Sequence, residues 1–173
     1  MSKILVIYKS SYGATKKYAQ WIAEDLGADI FDVTETKPQM LMDYDIVVYG
    51  GGLYAGQING VKLVAENPVK KLVVFTVGLA DPAITDYSGH LASNFKPERL
   101  GDLAVFHLRG AIELQSMGFS HKAMIAIVKQ LVKSKKPSNM SGEEKAIAEL
   151  SGESVDFVDR DSILPIIEYV RSL

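Results

Sequence analysis

The sequence predicts an α/β domain built on a parallel sheet, and three observations carry that prediction. Short apolar runs rich in Val and Ile alternate with segments of helical spacing, the pattern of βαβ units. The runs are apolar throughout rather than every second residue, as strands buried on both faces require. The length, 173 residues, lets a chain bury about 70% of the surface it exposes when unfolded, enough for one domain with a real core.

Ile4–Tyr8 is the first such run. Thr15–Leu26 follows, with Tyr18, Ala19, Trp21, Ile22, Ala23 and Leu26 at roughly helical spacing, and Gly27 ends it. Ile30–Val33 and Asp45–Tyr49 are the second and third strands, the latter stopping at Gly50-Gly51-Gly52. Asn59-Gly60 opens a short helix over Val61–Glu66, which Pro68 ends. Leu72–Thr76 is the fourth strand, a polar stretch of turn residues follows, and Leu103–Leu108 is the fifth. The alternation then breaks. A last unit normally reaches its helix within a few residues. Here the best final helix is Ser162–Ser172, with Asp161 as its N-cap and a strand-like piece, Val155–Val158, before it. The intervening 109–154 holds a helix, Ser120–Lys133, and a polar segment, Lys135–Glu144. It has too few apolar residues for a core of its own and reads as an insertion within one domain spanning 1–173.

Nineteen basic residues stand against 21 acidic ones, a net charge of -2, and apolar residues make up 47%. That balance excludes wholesale disorder and gives no reason to expect nucleic acid as a partner. The absence of Cys excludes disulfide scaffolds, thiolate zinc sites, iron–sulfur ligation and a cysteine nucleophile. His90, His107 and His121 are too scattered to suggest a metal cluster. The longest apolar run, Ala123–Val128, is far short of a membrane span. Met1-Ser2-Lys3 leads straight into a strand without signal-peptide features, so a cytoplasmic location is expected.

Open α/β sheets bind ligands beyond the carboxyl ends of their strands. The residues after the first strand are Lys9-Ser10-Ser11-Tyr12-Gly13-Ala14-Thr15. They contain neither the Gly-x-Gly-x-x-Gly dinucleotide pattern nor a P-loop. A receiver domain would need carboxylates at the ends of strands one and three, where this chain has Lys9-Ser10 and Gly50. A low-molecular-weight phosphatase would need a Cys here. What the loop offers is hydroxyls from Ser10, Ser11 and Thr15, close backbone approach at Gly13, and a helix N-terminus. Together these can hold a phosphate dianion without an arginine, each hydrogen bond to the charged group contributing roughly 1.5–3 kcal/mol. The alternative is an ordinary loop with a serine helix cap.

These residues resemble the flavodoxin signature. Val6, Ile7, Tyr8, Ser10, Gly13, Thr15, Ala19 and Ile22 meet every specified position of that pattern, with Tyr12 where the family usually has Thr. The resemblance implies an open, doubly wound, five-stranded flavodoxin-like sheet of order 2-1-3-4-5, with FMN at the switch between strands one and three. It implies a phosphate loop of Ser10, Ser11, Tyr12, Gly13, Ala14 and Thr15. It implies that Gly51, Gly52, Leu53 and Tyr54 flank one side of the flavin ring, with Tyr54 stacking on it or closing its edge. Thr76, Val77, Gly78, Leu79 and Ala80 would cover the other side.

Within that family the whole chain is similar to the menaquinone-dependent protoporphyrinogen oxidase subfamily, which also inserts a helix-bearing segment after strand five. Phe106–Ala111 sits where that subfamily's fifth strand runs into its insert. The insert here reads Ile112-Glu113-Leu114-Gln115-Ser116-Met117-Gly118, without the Arg and aromatic residues that precede the subfamily's helix. The resemblance implies an FMN-dependent oxidoreductase acting on a quinone or porphyrinogen-type molecule. The alternatives are a flavodoxin electron carrier and a flavin-free interaction module. Carriers tend to be strongly acidic and to sandwich the flavin between aromatics. This chain is only -2 and has no aromatic between Thr76 and Tyr87, which favours the enzyme, though the insert has Phe119 to offer. His107 and Arg109 are the ionisable residues to watch, more simply a buried His and a surface Arg, and no catalytic residue is assigned. Residues 120–136 carry five lysines and no acidic residue. Apolar positions run along one side of that helix, which either packs that stripe on its own domain and leaves its lysines in water or makes peripheral contact with an anionic membrane or an acidic redox partner.

Overall fold

Ile4 to Lys9 form β1 (Ile4–Lys9), flanked on both edges by other strands, and its residues alternate between two buried layers. The computed structural model describes residues 1–150 and 154–173. After β1 come α1 (Ala14–Leu26), β2 (Asp29–Asp32), β3 (Ile46–Tyr54), β4 (Gln57–Ile58), α2 (Lys62–Ala65) and β5 (Leu72–Gly78). Then follow α3 (Ser88–Asn94), α4 (Pro97–Leu100), β6 (Ala104–Arg109), β7 (Ala111–Glu113), α5 (Phe119–Val132), α6 (Gly142–Ala148), β8 (Ser154–Asp156) and α7 (Leu164–Arg171). The sheet runs β2-β1-β3-β5-β6, parallel throughout, with β4 turned back antiparallel on β3. With the two-residue β4 set aside, this is the expected 2-1-3-4-5 order and a flavodoxin-like fold.

On one face Val6, Val48, Val73 and Phe75 pack against Tyr18, Ala19 and Ile22 of α1 and Ile166, Ile167 and Val170 of α7. On the other, Leu5, Ile7, Val47, Tyr49 and Val74 pack against Leu41, Val61, Val64 and Phe95. Gly27 ends α1 as anticipated, at φ 62, with its N–H turned to the carbonyls of Ala23 and Glu24.

The third strand does not stop at Gly50. Gly50, Gly51 and Gly52 pair with Phe75, Thr76 and Val77 of β5, and Gly51 also with Lys9 of β1. The glycines extend the strand because neighbours occupy the space of a side chain. A Cβ on Gly50 would lie 2.0 Å from the Phe75 ring, and one on Gly51 would lie 2.6 Å from Ile58. The turn-rich stretch before strand five holds α3 and α4, which the pattern missed because they are short and their packing is carried largely by Leu91 and Phe95. Lys135–Glu144 is followed and partly occupied by α6, opened by a Ser141/Glu144 capping box. The last helix is preceded by a 3-10 turn at Arg160–Ile163, capped by Asp159 rather than Asp161, because the Asp159 carboxylate accepts from the Asp161 N–H.

The two ends of the insertion are tied together. β7 and β8 pair antiparallel, Ala111 with Asp156 and Glu113 with Ser154, in a ribbon separate from the main sheet. Residues 151–153 of the expected 109–154 insertion lie outside the described residues. Below the ribbon, the fully buried Tyr18 donates its hydroxyl to the Arg109 carbonyl at 2.7 Å and accepts from the Asp159 N–H at 3.1 Å. One side chain of α1 thus holds the backbone on both sides of the insertion. Tyr18→Phe should leave both groups short of a partner and cost about 1–3 kcal/mol. Urea unfolding monitored by circular dichroism measures it; a loss under about 0.3 kcal/mol would contradict the assignment.

Candidate functional site

The carboxyl ends of β1, β3 and β5 open on one cleft, walled on its far side by the insertion. Ser10, Ser11, Tyr12, Ala14 and Thr15 line one end of it. Gly13 precedes α1 at φ 98, a left-handed conformation that glycine adopts without strain, and no side chain caps the helix. The Ser10 hydroxyl accepts from the Gly13 N–H at 3.0 Å, which tightens the loop and leaves the amides of the first turn facing the cleft. α1 has no acidic residue in that turn, and Thr15 lies nearly buried there. The helix dipole and these donors make this end a place for an anion. Gly13 itself shapes the turn and does not line the cavity. Asn59 donates to the Ser11 hydroxyl at 3.3 Å, tying this loop to the β4–α2 connection.

Gly52, Leu53, Tyr54 and Ala55 form the next wall. The β3–β4 hairpin turns on Ala55 and Gly56, at φ 47 and 81, the left-handed pair of a two-residue hairpin loop. Asn94 of α3 holds the hairpin from behind, accepting from the Ile58 N–H at 2.9 Å and donating to the Gly56 carbonyl at 2.8 Å. Gly52 has no side chain where the Tyr54 ring folds back over it, at 2.9 Å from a would-be Cβ. Burial raises the Tyr54 hydroxyl above its ordinary pKa, partly offset by a hydrogen bond with Ser11. Gly51 faces Ile58 and the Asn59 carbonyl instead of the cleft.

From β5 the cleft receives Val77, Gly78 and Leu79. Thr76 and Ala80 do not line it. Ala80 is buried, and the Thr76 hydroxyl is engaged with His107 Nδ1 at 2.6 Å. The Tyr87 ring stacks on His107, centroids 3.6 Å apart and nearly parallel, so the first aromatic after strand four is committed to β6. Burial, with a smaller contribution from His90, lowers the His107 pKa to about 4. His107 is therefore a neutral packing residue at neutral pH. Arg109 is a brace. Its Nε and Nη2 donate to the Leu79 carbonyl at 3.2 and 3.0 Å while its guanidinium lies 3.5 Å over the Phe157 ring.

The insertion supplies Gly110, Ala111, Ile112, Met117, Met124, Ile125, Glu143 and Ile147. Its aromatic nearest the cleft is His121, which packs on the lining residues Tyr12 and Tyr54 without lining the cavity itself; Phe119 is 88% exposed. The His121 ring lies parallel to Tyr54 with centroids 5.3 Å apart, and Nδ1 hydrogen-bonds with the Tyr12 hydroxyl. The sequence carried that signal in its spacing: 121, 125, 128 and 132 share one helix face, and 119, 123 and 127 the opposite one. As closed by the insertion, the cavity holds about 140 Å³, well below the roughly 300–1,000 Å³ of small-molecule pockets. Met124 and Ile125 of α5 line it, so a larger ligand requires α5 or its side chains to give way. Among the described residues no group of His, Asp or Glu is arranged to hold a metal ion.

The chain matches the family model described as Flavodoxin domain over residues 5–139. A flavodoxin from the domain Archaea is similar in structure at 15% identity, covering 98% of this chain and 99% of that one, with a TM-score of 0.46. Flavodoxin 1 from Bacillus cereus is 16% identical over 78% of this chain and 100% of that one, with a TM-score of 0.42. A flavoprotein from Lactobacillus acidophilus, solved in complex with FMN, is 14% identical over 63% of this chain and 93% of that one, with a TM-score of 0.42. An uncharacterised protein of Methanocaldococcus jannaschii is 38% identical over 56 residues, which are 32% of this chain and 37% of that relative.

His107 gives the fold a pH signature. Its pKa is lower folded than unfolded, so the unfolded chain binds more protons as pH falls below about 6.5. The stability held above that pH is lost progressively down to about 4. Allowing for partial exposure, the loss is about 1–2 kcal/mol. Denaturant midpoints of wild type and His107→Gln between pH 7.5 and 4.5 should converge toward acid. A constant difference would refute the assignment.

Proposed function

This chain belongs to the flavodoxin-domain family, and we propose that it is an FMN-binding redox protein working as an oxidoreductase on an apolar molecule of quinone or porphyrinogen type. The uncapped N-terminus of α1, ringed by Ser10, Ser11 and Thr15 and free of acidic residues in its first turn, carries the reading. That arrangement fits a terminal phosphate monoester. Tyr54 and the Val77–Leu79 backbone fit the two sides of a flat ring system, with Gly52 and Gly78 leaving backbone close to it. FMN when bound supplies the capacity to take up and release two electrons. The protein's own part is to bind the phosphate, orient the ring, exclude water and admit the reaction partner. The apolar insertion over the ring end favours an enzyme over an electron carrier, since a carrier works with its ring edge accessible.

The outer side of α5 supports contact with an anionic lipid surface. Phe119, Ile127 and Leu131 are exposed, with Lys122 on the same helix, its Nζ donating to the Gln115 carbonyl at 3.1 Å, and Lys133 and Lys136 just beyond it. Apolar burial plus about 1 kcal/mol per lysine near an anionic surface gives reversible binding. Lys135 contributes less, being paired with Glu144 at 2.6 Å. No helix among the described residues is long and apolar enough to cross a membrane.

Two measurements test these readings. Titration with FMN should quench flavin fluorescence at one equivalent, and Thr15→Val should weaken binding by about 1.5–3 kcal/mol. No binding by the wild type removes the redox reading. Co-sedimentation should retain the protein on vesicles containing anionic lipid at low salt and release it at high salt. Equal, negligible binding to anionic and neutral vesicles removes the membrane contact.

A further inference from the structure

The arm formed by α5 and α6 rests lightly on the rest of the protein. Ile125 and Val132 are the buried residues of α5, α6 has none among the described residues, and the two helices pack chiefly on each other. The β7–β8 ribbon gives the arm a fixed root. An element packed this thinly opens locally unless particular contacts hold it. Two sets of contacts do. On the α6 side, His90 Nε2 lies 3.1 Å from Glu143 Oε1, and Gly142 sits so close on Thr85 that a Cβ there would lie 2.3 Å from the threonine hydroxyl oxygen. On the α5 side the contacts converge on His121.

His121 reaches two separate walls of the first cleft. Its ring lies parallel to Tyr54 of the hairpin, and its Nδ1 hydrogen-bonds with the hydroxyl of Tyr12, from the loop that opens α1. The Tyr12 ring also meets the imidazole edge-on, centroids 5.4 Å apart. Both tyrosines line the cleft. Met124 and Ile125, three and four residues further on, share that face of α5 and stand in the cleft. The three side chains therefore move together. A ligand that pushes Met124 and Ile125 aside draws His121 off the tyrosines, and while His121 holds them the other two stay in the ligand's space.

We propose that His121 is an autoinhibitory latch: it keeps the arm over the cleft by engaging Tyr12 and Tyr54, and a cofactor entering the cleft releases it. That the cofactor is FMN rests on the flavin reading. The latch stands on the arm's own contacts. Exclusion of this kind fixes the sign of a mutation. An apparent Kd is the intrinsic Kd divided by the open fraction, so loosening the latch tightens cofactor binding. A side chain that merely supported the site would weaken binding when removed, or leave it unchanged.

The test is hydrogen exchange of the full chain without FMN, together with FMN titration, on wild type, His121→Ala and His121→Gln. In His121→Ala the α5 amides should exchange about tenfold faster, as loss of one hydrogen bond and one ring contact allows, while those of β1, β3 and β5 stay unchanged. FMN affinity should rise by up to the same factor. His121→Gln keeps a group able to hydrogen-bond the Tyr12 hydroxyl but no ring. It should fall between, and it carries the test if circular dichroism shows His121→Ala unfolded. Unchanged α5 exchange, or FMN affinity that is unchanged or weaker in the variants, would overturn the latch and leave the flavin reading standing. Faster exchange with no FMN binding to any form overturns the flavin reading and the release by FMN, and keeps His121 as the contact that holds the arm.

Discussion

Four residues, Ser10 to Gly13, take the chain from β1 to α1, and the site depends on how abruptly they do it. A strand buried on both faces cannot drift to the surface before turning. It must deliver the chain at once to a helix packed on the sheet. Gly13 makes that turn at positive φ, and the Ser10 hydroxyl accepts from its N–H. The helix then starts without a side-chain cap at the carboxyl edge of the sheet. Its unpaired amides and partial positive charge are left for an anion. The same helix carries Tyr18 inward, so the element that forms the anion site also anchors the insertion that covers it.

The strong patterns were legible in the sequence because each has a local cause. Continuous Val/Ile runs mark central parallel strands, Gly27 marks a left-handed helix end, and the Ser10–Thr15 spacing marks the first loop. What escaped has a tertiary cause. Nothing local separates a glycine run that ends a strand from one that continues it beneath Phe75 and Ile58. α3 and α4 are too short for a periodic stripe. Phe119 looked the better aromatic because hydrophobicity favours it, yet the twist of α5 turns His121 to the cleft. Glu143 sits in a run of charged residues, where only the fold distinguishes it from Glu144.

The insertion is the part of the molecule in which geometry and chemistry are most tightly joined. The β7–β8 ribbon pins its ends, Arg109 fixes the loop beside them, and α5 lies over the cleft with one apolar face inward and another outward. The inward face fills space that a flavin ring would need, so binding and movement of α5 are coupled. Besides the backbone pairing and Tyr18 at its base, the cover is held over the cleft by His121 against Tyr12 and Tyr54 and by the His90–Glu143 ion pair, contacts that can break without unfolding the sheet.

The central claim is that the α1 N-terminus holds a phosphate dianion, and phosphorus NMR of the FMN complex tests it most directly. A dianion held by backbone amides and Thr15 away from water should keep one resonance position across pH 5–8. Free FMN titrates near pH 6. A bound resonance that does not titrate, with shifts in the Ala14 and Thr15 amides, is the predicted result. A bound resonance that titrates as in free FMN, with those amides unmoved, would contradict it.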